Sequence, residues 1–152
     1  MRTFPDAATI RPRMHFALVD TVLEQTPDRV RALKQVTLAE EYLQDHFPTF
    51  QVLPGVFMLE AMVQAARRLT DAQGHPRMVL GGAKALRYGS FVRPGEALEV
   101  DVQLEKSQPD GSMVFKGTGT VRRPGGGEPE TAVSGRFTLR PLRIPPQNPS
   151  QG

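Results

Sequence analysis

Residues 54–73 read PGVFMLEAMVQAARRLTDAQ, and the architecture follows from this stretch. Pro54 suits the first position of a helix, where its missing N–H would have had no intrahelical partner. Gly74 and Pro76 stop the helix at its other end. Across residues 56–66, VFMLEAMVQAA, nine of eleven residues are apolar. Spaced by about 100° each, they surround the axis, which predicts a helix buried on every side.

The rest of the chain supplies the cover. Downstream, the stretches 77–88, 96–106, 112–123 and 130–140 read as strands. They are separated by Pro94-Gly95, Pro109-Asp110-Gly111 and Pro124-Gly125-Gly126-Gly127, all strong turn signals. Upstream, FALVDTVLE at 16–24 and LKQVT at 33–37 read as an antiparallel pair about the turn Gln25–Asp28. LAEEYLQD at 38–45 predicts one or two helical turns, with Thr37 as cap and Glu40 three residues on. HFPTFQVLPG then forms a loop. Two strands, a long helix and four strands predict an α+β domain, one antiparallel sheet covering one helix. The domain is placed at 14–140, after an irregular segment over 1–13 and before a Pro-rich, disordered or extended tail over 141–152. A sheet over a single helix buries little surface, so a homodimer is expected.

Composition narrows the function. The chain has 152 residues, 16.8 kDa and a mean hydropathy of −0.34. Its net charge of +3 is mild, and the Arg residues form no block. With no helix–turn–helix, zinc-finger or RNA-binding signature, no nucleic-acid partner is expected. No run of 18 apolar residues occurs, which argues against membrane insertion. The first residues show no apolar leader. Cysteine is absent, excluding a thiol nucleophile and Cys-held metal. His15, His46 and His75 lack metal-ligand spacing. The expectation is a cytoplasmic domain with no metal and no cofactor.

Glu60 and Gln64 are the polar members of the apolar run. Four residues apart, they share one stripe, extended by Val56 and continued by Arg67. A carboxylate among apolar groups is costly unless paired or neutralised. Glu60 therefore either pairs with an Arg or reaches solvent, or it is a carboxyl kept protonated as a general acid. The helix start carries a second oddity: no Ser, Thr, Asp or Asn at position 53 caps it. The N–H groups of Gly55 and Val56 either take water or the Thr49–Gln51 loop, or they accept a ligand oxygen. His46 lies just before, as a surface residue or as a base. Together these are parts for proton abstraction beside a thioester carbonyl and expulsion of a β-hydroxyl.

The spaced pattern His46-Phe47-Pro48, Pro54-Gly55-Val56, Glu60-Ala61 and Gln64 resembles the active-site motif of the FabZ-type 3-hydroxyacyl-acyl-carrier-protein dehydratases. FALVDTVLE, LKQVT and FVRPGEALEVDVQLE resemble the family's flanking strands, so the likeness covers about residues 15–139. It implies a hot-dog fold, an antiparallel sheet wrapped around one long helix, joined into one continuous sheet in a dimer or a trimer of dimers. It implies His46 and Glu60 as the catalytic pair, contributed by opposite subunits. It implies Gly55 as carbonyl binder and Gln64 as orienting residue. An acyl tunnel would be lined near Phe47, Val56 and Leu59, and an acyl carrier protein would deliver the substrate. Docking is expected at Arg67, Arg68, Arg87 and Arg93. The chain departs from the family pattern at Thr49-Phe50-Gln51, at Arg11-Pro12-Arg13-Met14, in the GGG loop and in the tail. Alternatives are a hot-dog acyl thioesterase and a non-catalytic acyl-carrier or acyl-chain binding subunit.

Overall fold

The structure, a computed structural model, describes residues 16–144. The expected irregular segment over 1–13, the first two residues of the expected domain and residues 145–152 of the expected tail lie outside this range.

Six strands form one antiparallel sheet: β1 (Thr21–Gln25), β2 (Arg29–Gln35), β3 (Met78–Tyr88), β4 (Ala97–Ser107), β5 (Met113–Arg122) and β6 (Glu130–Pro141). Their order is β1-β2-β4-β5-β6-β3. A 3₁₀ turn (Glu41–Gln44) and the helix α1 (Gly55–Ala72) connect β2 to β3. The hot-dog arrangement is therefore the observed one. Alternation sets the core. Val30 and Ala32 of β2 lie opposite Val102 and Val100 of β4, and all four are buried. Met58, Ala61, Met62, Ala65, Ala66 and Leu69 of α1 are buried against the same face. Phe115 and Phe137, opposite one another on β5 and β6, stack at 5.5 Å. A Cβ on Gly117 would come within 2.5 Å of Met62 Sδ. The missing side chain is what lets α1 settle onto β5.

Four expectations need correction. The first strand begins at Thr21, not Phe16, because residues 16–18 are held by a side chain of α1 rather than by a neighbouring strand. Thr37 does not cap the 3₁₀ turn through its hydroxyl; its own N–H instead donates to Glu40 Oε2 at 2.8 Å. Pro54 precedes α1 rather than opening it. The helix is also not covered on every side: Val56 is 63% exposed, and Phe57, Leu59 and Glu60 are half-buried, because one sheet reaches only one side of a helix. The sheet has two edges, β1 and β3, and most side chains of both are exposed.

Candidate active site

His46 sits in a loop closed by reciprocal hydrogen bonds. Phe47 N–H donates to Phe50 O and Phe50 N–H to Phe47 O, both at 3.1 Å, and Val52 N–H donates to His46 O at 3.0 Å. The His46–Phe47 peptide is cis, and the two rings stack at 4.3 Å. His46 Nδ1 lies 3.1 Å from Val52 O. A carbonyl oxygen can only accept, so this contact requires Nδ1 to carry the proton in neutral imidazole. Nε2 then keeps its lone pair and is the basic atom. The divergent segment Thr49-Phe50-Gln51 is anchored through Phe50, which meets Phe91 edge-on at 5.6 Å and lies under the Arg93 guanidinium at 4.7 Å.

The chain passes from this loop into α1 through Leu53, whose N–H donates to Val92 O at 2.8 Å. The N–H groups of Phe57 and Met58 are taken by Pro54 O. No side chain caps the helix, so the Thr49–Gln51 loop does not serve that purpose. Gly55 and Val56 N–H are left without partners among the described residues, at the positive end of the helix dipole. The face of Gly55 is not open, however. A Cβ there would stand 2.8 Å from Tyr88 Cε1, so the Tyr88 ring at the end of β3 occupies the space a side chain would take. Tyr88 was not legible as a site neighbour, because only the return of β3 past the helix start brings it there.

Glu60, 30% exposed, lies on the open side of α1. Its Oε1 accepts from Gln64 Nε2 at 3.2 Å and lies 4.0 Å from Arg67 Nη1. Both groups address the same oxygen, so a proton on this carboxyl belongs on Oε2. Gln64 is itself fixed at both ends of its amide: Oε1 accepts from Leu18 N–H at 2.7 Å, and Nε2 also donates to Phe16 O at 3.0 Å. Of the four Arg residues expected to dock a partner, two are already engaged. Arg67 Nε donates to Met78 O at 3.1 Å, and Arg93 covers Phe50. Arg68 and Arg87 are exposed.

One chain brings Glu60, Gln64 and Arg67 together, and it stacks His46 on Phe47 in the loop that leads through Val52 and Leu53 into α1. It makes no hydrogen bond or ion pair between His46 and Glu60 among the described residues. Phe47 and Val56 are 51% and 63% exposed rather than enclosing a channel, while Leu59 is half-buried. No group of three or more His, Cys, Asp or Glu side chains among the described residues is placed to hold a metal ion.

One antiparallel sheet packed on one long helix defines a hot-dog domain. The family model described as ApeI-like, ApeI dehydratase, matches residues 22–123. The 3-hydroxyacyl-[acyl-carrier-protein] dehydratase FabZ of Anaeromyxobacter sp. strain K is 42% identical over 120 residues, covering 74% of this chain and 75% of that protein. The chain belongs to this FabZ- and ApeI-like dehydratase family. Among solved structures, the dehydratase heterocomplex ApeI:P from Xenorhabdus doucetiae aligns with a TM-score of 0.60 at 14% identity, over 82% of this chain and 98% of that one. An acyl-CoA hydrolase from Bacillus cereus aligns with a TM-score of 0.60 at 18% identity, over 77% and 67%. These two likenesses concern the fold.

Proposed function

We propose that the protein is a hydro-lyase that converts 3-hydroxyacyl thioesters, carried on an acyl carrier protein, to trans-2-enoyl thioesters in acyl-chain biosynthesis. The observation that carries the reading is the His46–Val52 contact, which in neutral imidazole leaves Nε2 with the free lone pair, in the loop that leads to the unpartnered N–H groups opening α1. The thioester carbonyl accepts a hydrogen bond from Gly55 N–H, which stabilises negative charge as it builds on oxygen. Nε2 of His46 takes a proton from C2. The C2 electron pair forms the C2–C3 double bond, the C3–O bond breaks, and Glu60 Oε2 gives its proton to the departing hydroxyl, releasing water. Gln64 holds Oε1 and so turns Oε2 toward the substrate.

Each site takes His46 from one subunit and Glu60 from another. The open side of α1, the exposed edge strand β3 and the absence among the described residues of a hydrogen bond or ion pair between His46 and Glu60 support this assembly. Pairing at β3 would cover Val56, and Phe47, Val56 and Leu59 would then line the acyl channel. The acidic carrier is expected at Arg68 and Arg87, the two cations of the predicted set whose guanidinium groups have no partner among the described residues. No helix among the described residues is long and apolar enough to cross a membrane, and the compartment proposed is the cytoplasm. The domain is proposed to span residues 14–140.

The test is product analysis with a single 3-hydroxyacyl thioester on carrier. Enoyl thioester is the expected product. Free carrier thiol would mark a thioesterase, and unchanged substrate would mark a binding subunit; either result overturns the reading.

A further inference from the structure

Lys34 occupies a position in β2 that the strand's alternation assigns to the core. Its neighbours on that face, Val30 and Ala32, are fully buried, and Lys34 is only 7% exposed. Its Nζ lies 2.5 Å from Glu40 Oε1 and 3.9 Å from Asp20. Glu40 Oε1 also accepts from the Tyr42 hydroxyl at 2.7 Å, and Oε2 from Thr37 N–H at 2.8 Å. Burial pushes the Glu40 carboxyl up, but hydrogen bonds from Lys34, Thr37 N–H and Tyr42 together hold it below its ordinary value. Burial, reinforced by the neighbouring carboxylate, raises the Tyr42 phenol, so it remains a donor. The Tyr42 ring in turn meets Phe57 edge-on at 4.7 Å and Phe16 at 6.0 Å.

None of these groups has a part in the proposed chemistry, yet they tie together the parts that do. Lys34 belongs to β2 and Glu40 to the start of the 3₁₀ turn. Phe57 lies in the first turn of α1, and Phe16 is the residue whose carbonyl Gln64 holds. The 3₁₀ turn ends at Gln44, two residues before His46. A buried apolar pair of similar volume would usually be no less stabilising than a buried ion pair. What the ion pair adds is direction, because each oxygen of Glu40 has its own donor and the turn cannot slide along β2 without losing one.

We propose that the Lys34–Glu40 pair, with Tyr42, is a positioning device that holds the His46 imidazole in place on the Val52 carbonyl. The proposal rests on the reading of His46 as the base.

The test replaces both charges at once, in Lys34→Met/Glu40→Leu. An apolar pair keeps the interior filled, so the melting temperature is expected to stay within a few degrees of the parent. Turnover is expected to fall about tenfold or more with KM within about twofold, the pattern of a lost transition-state geometry. Imidazole nitrogen resonances of labelled His46 are expected to show both tautomers where the parent shows Nδ1–H alone. A double variant with parental turnover, or with an unchanged His46 ring, overturns the proposal. Should that variant fail to fold, Tyr42→Phe is read the same way: a smaller loss of turnover at unchanged melting temperature with a disturbed ring supports the device, and no change overturns it. His46→Ala in the otherwise intact chain keeps the two readings apart. If it turns over normally, the assignment of the base is lost, while the ring resonances still decide whether the network fixes the imidazole.

Discussion

Glu60→Gln isolates proton donation from everything else the side chain does. The amide oxygen can take the place of Oε1 and accept from Gln64 Nε2 as before, with the NH₂ group standing where Oε2 stood. The structural cost is small. The side chain is 30% exposed and its approach to Arg67 is 4.0 Å, a geometry in which loss of the charge costs about 0–1 kcal/mol. For a chain of this size, that is a shift of roughly 4 °C or less in melting temperature. The chemical cost is large, because an amide cannot supply the proton the leaving hydroxyl needs. Loss of a general acid lowers turnover by about 10²–10⁴-fold, or roughly 3–5 kcal/mol at about 1.4 kcal/mol per decade. The assay is the rate of enoyl thioester formation at saturating 3-hydroxyacyl substrate, beside a thermal melt on the same sample. A Glu60→Gln variant that melts like the parent and turns over within about threefold of it would falsify the acid role.

Four further outcomes are expected. Mixing inactive His46→Ala chains with inactive Glu60→Gln chains should restore part of the activity, since a mixed dimer holds one site with both parental groups; no recovery after verified exchange removes the shared-site arrangement. Charge reversal at Arg68 and Arg87 should raise KM for carrier-linked substrate but not for a small pantetheine thioester, and added salt should do the same, because exposed charges are screened beyond about 8 Å at physiological ionic strength. Equal responses of the two substrates would exclude those cations from recognition. Gly117→Val should destabilise the fold by about 1–3 kcal/mol through the clash with Met62, with a melting temperature equal to the parent counting against the close packing of α1 on β5. The Glu40 carboxyl, lowered on balance despite its burial, contributes stability that is present above its unfolded value near 4.5 and is lost as pH falls through the lower folded value. Over that acid window Glu40→Gln should flatten the loss of stability, and melts at stepped pH that superimpose for parent and variant would contradict it.

The helix was legible because its two signals are local: apolar residues round the axis, and Pro54 and Gly74 at its ends. The last four strands were legible because Pro-Gly and Asp-Gly turns separate them. The start of β1 was not, since Phe16, Leu18 and Val19 look like a strand to any local reading, and what holds them is an amide forty-six residues away. Lys34 hid for a related reason: a lysine in a strand normally marks the solvent face, and only the register of β2 shows it pointing inward beside Glu40. At the site, the motif spacing named His46, Gly55, Glu60 and Gln64. It could not give the proton position on the imidazole, which depends on the Val52 carbonyl, or the Tyr88 ring, which depends on where β3 returns.

The Gln64 amide does for residues 16–18 what a neighbouring strand would do, taking one N–H and offering one N–H in return. It is a rung of a ladder with only one rung. Such a fastening tolerates changes in the length of chain before Phe16, which nothing in this contact measures. It does not tolerate a residue added or lost between Leu18 and Thr21. There the count is fixed from both sides, by the amide at one end and the pairing of Thr21 with Leu33 at the other. An indel in those few positions would force the amide to let go, and the carboxyl of Glu60 would lose its orientation with it.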